Sequence, residues 1–312
     1  MPLVAALLVL LSTVSPAAGL SNDVQPLSAG NRGANVRALQ TLLRAAGSMV
    51  SVTGVMDAAT VTAVTALQAG HGITADGVVG VATWTILLPR LSRGARGLGV
   101  VALQRLLNEK RHAGLETDGV FGIAEQDAVL AFQRHGGLPA SGTANQATWR
   151  RLLAHLELPA WGSRLCDYSV GNGPANWGTA NAIGQLEAAA DAFGRLGYGR
   201  PALGDIGYEH GGDIAGHETH EQGLDVDLRP MRRDHGQCVT PGTRWSSTAY
   251  DRAATRALVL AIRDAAPGHV KLIYFNDPVL IREGLVTWHS GHDDHLHVRY
   301  CESVHADPRY DC

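Results

Sequence analysis

The sequence of 312 residues predicts a multidomain protein. Two small all-α modules of three helices each are followed by an α+β domain with a small, mainly antiparallel sheet. Three observations predict this fold class. The segment that begins at Leu27 recurs at Leu91, short helix and strand patterns are mixed after residue 163, and 10 of the 14 histidines lie after residue 200. The length is sufficient for two or three domains, each with its own core.

Residues 1–19 have the features of an export signal. Residues 2–14 are apolar except for Ser12 and Thr13, and small residues follow up to Gly19. About a dozen apolar residues are too few to cross a bilayer, and small residues are typical of a signal peptidase site. We therefore expect a secreted protein, located in the periplasm or cell wall, with no membrane span in its mature chain. A buried helix or an uncleaved anchor is the alternative.

Residues 27–90 and 91–155 form an internal repeat with an offset of 64 to 65 residues. In each copy, apolar residues at helical spacing predict a first helix. They are Val36, Leu39, Leu42 and Leu43, then Val100, Leu103, Leu106 and Leu107. A second helix is expected after Asp57, which suits an N-cap, and a short third helix carries Trp84 or Trp149. We expect both tryptophans in the core rather than at a ligand surface.

The repeated motifs resemble a known binding module. Each copy contains Leu-Ser-x-Gly-x-Arg-Gly, then Val-x-x-Leu-Gln-x-x-Leu, and later Ala-Thr-Trp. This pattern resembles the peptidoglycan-binding module of bacterial wall hydrolases over residues 27–90 and 91–155. The resemblance implies anchoring to wall glycan or stem peptide. Neither copy contains a cluster of nucleophile, base or metal ligands, which favours binding over catalysis. Helical spacers or protein-interaction modules are the alternative.

A short linker at residues 156–162 precedes the third domain at residues 163–312. In that domain we expect helices over residues 186–196 and 253–265 and strands over residues 224–228, 270–275 and 295–300. Its four cysteines are an even set, which predicts two disulfides in an exported protein. Three pairings of Cys166, Cys238, Cys301 and Cys312 are possible, and free thiols are the alternative.

The histidines of this domain predict a metal site. His217 and His220 precede Asp225 and Asp227, and a second group of histidines follows about 70 residues later at His292, His295 and His297. Alternate residues of a strand share a face, so Asp225 and Asp227 point together, as do His295 and His297. Three nitrogen or oxygen ligands and one position left to water are typical of catalytic zinc. Histidines that cluster by chance are the alternative.

The spacing of His220, Asp227 and the pair His295 and His297 is similar to the motif shared by the lysostaphin, D-alanyl-D-alanine peptidase and hedgehog group. The segment resembles the penicillin-insensitive murein endopeptidases most. This resemblance implies that His220, Asp227 and His297 bind one catalytic Zn²⁺, with His295 as the catalytic histidine. It further implies that His292 supports catalysis and that His217 lies beside the metal or binds a second ion. Asp225 is expected to orient a ligand imidazole.

These observations predict an exported zinc peptidase that hydrolyses peptide cross-links or stem peptides of bacterial peptidoglycan. A D-alanyl-D-alanine carboxypeptidase is one alternative, and a non-catalytic wall-binding protein with a structural zinc is another. The net charge of −3 gives no reason to expect nucleic acid as a partner. We expect a monomer.

Overall fold

The computed structural model describes residues 24–162, 164–168, 175–239 and 241–312. The predicted export signal at residues 1–19 lies outside these ranges, as does residue 163, where the third domain was expected to begin. Within the described ranges, no helix is both long enough and apolar enough to cross a membrane.

Each repeat folds into three helices, as predicted. The first copy contains α1 (Ala34–Ala45), α2 (Ala58–Gly70) and α3 (Val81–Leu87), and the second contains α4 (Leu98–Arg111), α5 (Ile123–His135) and α6 (Gln146–Ala154). Asp57 caps α2, as expected, because its side chain accepts a hydrogen bond from the Thr60 amide at 2.8 Å. Trp84 and Trp149 are both buried, which confirms their predicted place in the core.

The Leu-Gln motif of the repeats has a structural explanation. The Gln40 side chain is buried, accepts a hydrogen bond from the Gly54 amide and donates to the Val55 carbonyl. In the second copy, Gln104 makes the same two bonds to Gly119 and Val120. Each glutamine therefore satisfies backbone groups of the turn that leads to the second helix, which compensates for its own burial.

The two copies share one continuous hydrophobic core, in which α1 packs beside α4. Arg37 donates to Glu109 across these two helices. The linker is fixed to the third domain, because Glu157 exchanges two backbone hydrogen bonds with Gly178. The linker is therefore short and ordered rather than a flexible tether.

The third domain contains a five-stranded sheet in the order β1-β2-β3-β5-β4. Its elements are β1 (Cys166–Asp167), α7 (Ala180–Gly194), β2 (Ala202–Leu203), β3 (Asp225–Leu228), α8 (Arg252–Ala265), β4 (Val270–Tyr274), α9 (Pro278–Arg282) and β5 (Leu296–Tyr300). The β1–β2 pair is parallel and the other three pairs are antiparallel. The sheet is thus mainly antiparallel, as predicted.

The structure shifts one or both bounds of all five elements predicted in this domain, most of all at the start of α7. Helix α7 begins at Ala180 rather than at residue 186, because the Thr179 side chain accepts from the Ala182 amide and caps the helix there. Strand β5 begins at Leu296, so His295 lies just before it. Both predicted disulfides are present and pair Cys166 with Cys238 and Cys301 with Cys312.

Candidate metal centre

The candidate site forms where β3 pairs with β5. The antiparallel register places Asp225 opposite Arg299 and Asp227 opposite His297. Because alternate side chains of a strand share a face, these four residues point to the same side of the sheet. His220 approaches from the loop before β3. All five side chains are buried.

Three side-chain atoms that could bind a metal lie close together. His220 Nε2 lies 3.3 Å from His297 Nδ1 and 3.4 Å from Asp227 Oδ1, and His297 Nδ1 lies 3.1 Å from the same Asp227 oxygen. The structure therefore brings together the three side chains expected to bind a metal. Two imidazole nitrogens and one carboxylate oxygen form a small, nearly equilateral triangle.

The other ring nitrogen of His220 and of His297 also has a hydrogen-bond partner. His220 Nδ1 lies 3.2 Å from the Ile206 carbonyl, which fixes a proton on Nδ1 and directs the Nε2 lone pair to the cluster. His297 Nε2 lies 2.8 Å from Asp225 Oδ1. Asp225 therefore orients a ring of the cluster, in the way that carboxylates next to a metal ligand do.

Asp225 has two further partners that the sequence motif does not include. Arg299 Nε donates to its Oδ1 at 2.7 Å, and the Tyr310 hydroxyl donates to its Oδ2 at 2.8 Å. Tyr310 lies in the loop closed by the Cys301–Cys312 disulfide, and its hydroxyl oxygen also lies close to the Thr219 carbonyl. Arg299 could have been found from the two-residue period of β5, whereas Tyr310 carries no such signal.

Contacts within the site shift the pKa values of Asp227 and His297 in opposite directions. Burial alone would raise the pKa of Asp227, but its contacts with the His220 and His297 rings hold that pKa far below its usual range. Burial alone would lower the pKa of His297, yet its hydrogen bonds to Asp225 and Asp227 raise it to about 9. A cation would displace this proton, because a metal competes with protons for the same lone pair.

His217 lies beside the triangle. Its Nδ1 is 3.6 Å from Asp227 Oδ2, the oxygen opposite the one that faces His220, and its Nε2 is 3.1 Å from Asp205 Oδ2. The donor atoms of His217, His220 and Asp227 all lie within 4.8 Å of one another. Asp205 follows β2 and has no motif that would have identified it from the sequence.

His292 and His295 line the same cleft, which has a volume of about 460 Å³. The His292 ring lies 5.5 Å from the His297 ring and 4.6 Å from the His295 ring. His292 Nδ1 is 2.9 Å from the Ser290 carbonyl, and burial lowers its pKa to about 4. His295 Nδ1 is 3.1 Å from Asp294 Oδ1. Both candidate catalytic histidines therefore face the cleft, with His292 beside the triangle.

Tyr274 contributes to this cleft although the sequence motif does not include it. Its ring stacks on His289 at 4.4 Å and on His297 at 5.9 Å and contacts His292 at 5.2 Å. The aromatic ring thus packs between the ligand candidate and the histidines of the cleft wall. Trp288, adjacent to His289, has 63% of its surface exposed.

Comparison with known proteins identifies the amino-terminal part of the chain. Residues 32–87 and 96–152 each match the family described as "Putative peptidoglycan binding domain". The chain is also 35% identical over 103 residues to an uncharacterized protein in the bpoA1 3' region of Kitasatospora aureofaciens. That match spans 30% of this chain and 87% of that protein.

Two solved structures are also similar in sequence over their matched parts. The SleB N-terminal domain is 35% identical, with 21% of this chain and 90% of that chain covered and a TM-score of 0.21. A Burkholderia AP3 phage endolysin is 32% identical, with 34% of this chain and 36% of that chain covered and a TM-score of 0.21. By the family match, the chain contains the peptidoglycan-binding domain twice, at residues 32–87 and 96–152.

Proposed function

We propose that this protein is a zinc-dependent peptidase that hydrolyses peptide cross-links or stem peptides of peptidoglycan. The observation that carries the proposal is the triangle of His220 Nε2, Asp227 Oδ1 and His297 Nδ1, with sides of 3.1 to 3.4 Å, beside an open cleft. The two peptidoglycan-binding domains are the support for the substrate class.

The donor set fits zinc. Zinc in proteins is bound tetrahedrally by histidine nitrogen and carboxylate oxygen at about 2.0–2.2 Å, which requires donors roughly 3.3 Å apart. The three sides of the triangle are close to this separation. A set of three protein ligands that leaves one position open is the arrangement of catalytic rather than structural zinc sites.

Two histidines of the cleft are placed for proton transfer. A bound zinc would supply a Lewis acid that polarises the scissile carbonyl and makes a water acidic. His292 donates its Nδ1 proton to Ser290, so its Nε2 can accept a proton in the cleft. His295 is supported by the Asp294 carboxylate and is our candidate for the second proton-transfer group.

We assign a supporting role to His217. It contacts Asp227 through Oδ2, whereas the triangle uses Oδ1, and its other nitrogen faces Asp205. His217 therefore supports the Asp227 carboxylate and leaves the fourth coordination position of the zinc open. A zinc held by all four side chains would instead be structural, and this arrangement is the alternative to catalysis.

The two binding domains would raise the rate on an insoluble substrate. Weak binding by modules on the same chain raises the effective concentration of the cleft at the wall. The localisation that follows is extracytoplasmic, which agrees with the two disulfides, since disulfides persist in oxidising compartments.

Muropeptide analysis tests the proposal. Purified sacculi are incubated with metal-free protein, with zinc-reconstituted protein and with the reconstituted Asp227→Asn variant, and soluble products are analysed by mass spectrometry. We expect new peptide termini with the zinc-reconstituted wild type alone. Cross-linked dimers that lose one peptide bond would indicate an endopeptidase, and loss of terminal D-alanine alone would indicate a carboxypeptidase. Equal product formation by the metal-free protein would contradict zinc dependence.

A further inference from the structure

A second group of histidines surrounds Glu209, away from the cleft described above. His135 Nε2 lies 3.0 Å and His155 Nε2 lies 3.4 Å from Glu209 Oε1, and His210 Nε2 lies 4.0 Å from Glu209 Oε2. The rings of His135 and His210 are 4.9 Å apart. Three imidazoles thus converge on one carboxylate.

These side chains come from two parts of the protein. His135 ends α5 and His155 follows α6, so both belong to the second repeat, residues 91–155. Glu209 and His210 lie in the loop between β2 and β3 of the third domain. The cluster therefore spans the boundary between a wall-binding domain and the proposed catalytic domain.

Arg111 positions the carboxylate of the cluster. It ends α4 and donates from its guanidinium to Glu209 Oε1. The second oxygen, Oε2, turns towards His210. A carboxylate has about four lone-pair sites on its two oxygens, so the bond from Arg111 leaves room for a further partner.

The donor atoms lie within reach of one ion. One nitrogen of His135, one of His210 and one oxygen of Glu209 all lie within 4.8 Å of one another. His210 is exposed and can change its rotamer. His135 is half-buried at the end of α5, and Glu209 is half-buried and paired with Arg111. Two imidazoles and one carboxylate are a donor set that zinc prefers.

His155 lies beside these donor atoms. Its Nδ1 donates to the Leu156 carbonyl at 2.5 Å, and its Nε2 lies 3.4 Å from Glu209 Oε1. The His155 ring therefore borders the cluster without being one of its three donors.

We propose that His135, Glu209 and His210 form a second zinc site that bridges the second peptidoglycan-binding domain and the third domain. Its role is to fix the orientation of the wall-binding surface relative to the cleft. The site does not depend on the proposed peptidase activity. An ion that binds only the folded, docked arrangement stabilises that arrangement by mass action.

Zinc titration of full-length variants tests the bridging site. A His220→Ala/Asp227→Ala variant removes the site at the sheet, and we expect it still to bind one equivalent of zinc by calorimetry. Addition of His135→Ala and His210→Ala should abolish that binding. The matched control is His71→Ala, which removes an exposed histidine of the first domain and should leave the stoichiometry unchanged. Circular dichroism of each variant checks that the fold is retained.

The outcomes separate this site from the peptidase proposal. If both sites exist, the wild type binds two equivalents and each pair of substitutions removes one. If the His220→Ala/Asp227→Ala variant binds no zinc, or if its binding survives loss of His135 and His210, the bridging site is wrong. In that same variant, saturating zinc should raise the unfolding midpoint by a few degrees, since zinc binds the folded form alone. An unchanged midpoint would also overturn the proposal.

Discussion

His297 is the side chain on which the proposed catalytic site depends most. Its Nδ1 faces His220 and Asp227, and its Nε2 hydrogen-bonds with Asp225. Replacement of His297 with Ala removes one of three ligands, so we expect loss of zinc from the sheet site together with loss of activity. The measurement is zinc content by elemental analysis beside kcat, carried out in the His135→Ala/His210→Ala background so that one site is counted.

His295→Ala and His217→Ala test the other roles in the same background. Because neither residue belongs to the triangle, both variants should keep about one equivalent of zinc. We expect His295→Ala to lower kcat by roughly 10²–10⁴-fold, the usual size of a general acid or base contribution. Zinc loss in His295→Ala with zinc retained in His297→Ala would reverse the assignment, and zinc loss in His217→Ala would make His217 a ligand.

Glu302 makes stability depend on pH. Its carboxylate is fully buried and accepts from Asn181 Nδ2 at 3.0 and 3.1 Å, yet burial dominates and raises its pKa to about 8. Between its ordinary pKa of 4.5 and about 8 the native state binds more protons than the unfolded state, so stability falls as pH rises through this window.

The test of this coupling is Glu302→Gln, which keeps the shape of the side chain without a titrating proton. We expect the variant to unfold at a higher temperature than the wild type at pH 8, with the difference shrinking towards pH 5. The upper bound on the difference in the free energy of unfolding between the two proteins at pH 8 is on the order of 4 kcal/mol. Thermal unfolding followed by circular dichroism at both pH values measures it, and a difference that grows at pH 5 would contradict the assignment.

The two-residue strand period predicts that Asp225 and Asp227 share a face, and the resemblance to the zinc peptidase group implied that His220 and His297 join Asp227; the structure brings these side chains together. Sequence patterns were not sufficient for the supporting groups. Asp205 and Tyr310 reach the cluster through a loop and a disulfide-closed segment, and such contacts depend on chain topology rather than on local period.

At the scale of elements, α1 and α7 make a close backbone contact between the first binding domain and the third domain. A Cβ atom on Gly184 would lie 2.6 Å from Gly33 Cα, and one on Gly33 would lie 2.1 Å from the Ala180 carbonyl oxygen. Such distances are shorter than van der Waals contact, so only glycine allows the two elements to approach in this way.

Gly184→Ala tests this contact. Alanine favours helix over glycine by about 1 kcal/mol, so a site without constraint would be stabilised. We expect the reverse here, with the unfolding midpoint lowered by several degrees, because the backbone of α1 must move. Gly194→Ala is the matched control on α7, where an added Cβ meets nothing within 4 Å. Equal effects of the two substitutions would show that the close approach is unimportant.

The same contact explains why α7 begins earlier than its apolar pattern predicts. Ala180, Asn181 and Gly184 are small or polar, and Ile183 is the single large apolar residue of α7 before Leu186, so the apolar pattern is weak in this turn. The structure buries this first turn against α1 and Glu302. A helix end that packs through small residues leaves a weak hydrophobic signal, whereas the repeated leucines of α1 and α4 predicted those helices correctly.

In the whole molecule, we assign wall binding and the proposed hydrolysis to different parts of the chain. The full-length Asp227→Asn variant should therefore pellet with sacculi as completely as the wild type while releasing no muropeptides. The measurement is a sedimentation assay on sacculi, with mass spectrometry of the supernatant. Loss of pelleting in this variant would mean that the third domain carries the wall binding.

Anomalous X-ray diffraction can show whether His220, Asp227 and His297 bind zinc. Crystals of the full-length protein with zinc are measured above and below the zinc absorption edge. We expect an anomalous peak within bonding distance of His220 Nε2, Asp227 Oδ1 and His297 Nδ1, with a fourth position facing the cleft. No peak there, or an ion also bound by His217 with no position left open, would contradict it.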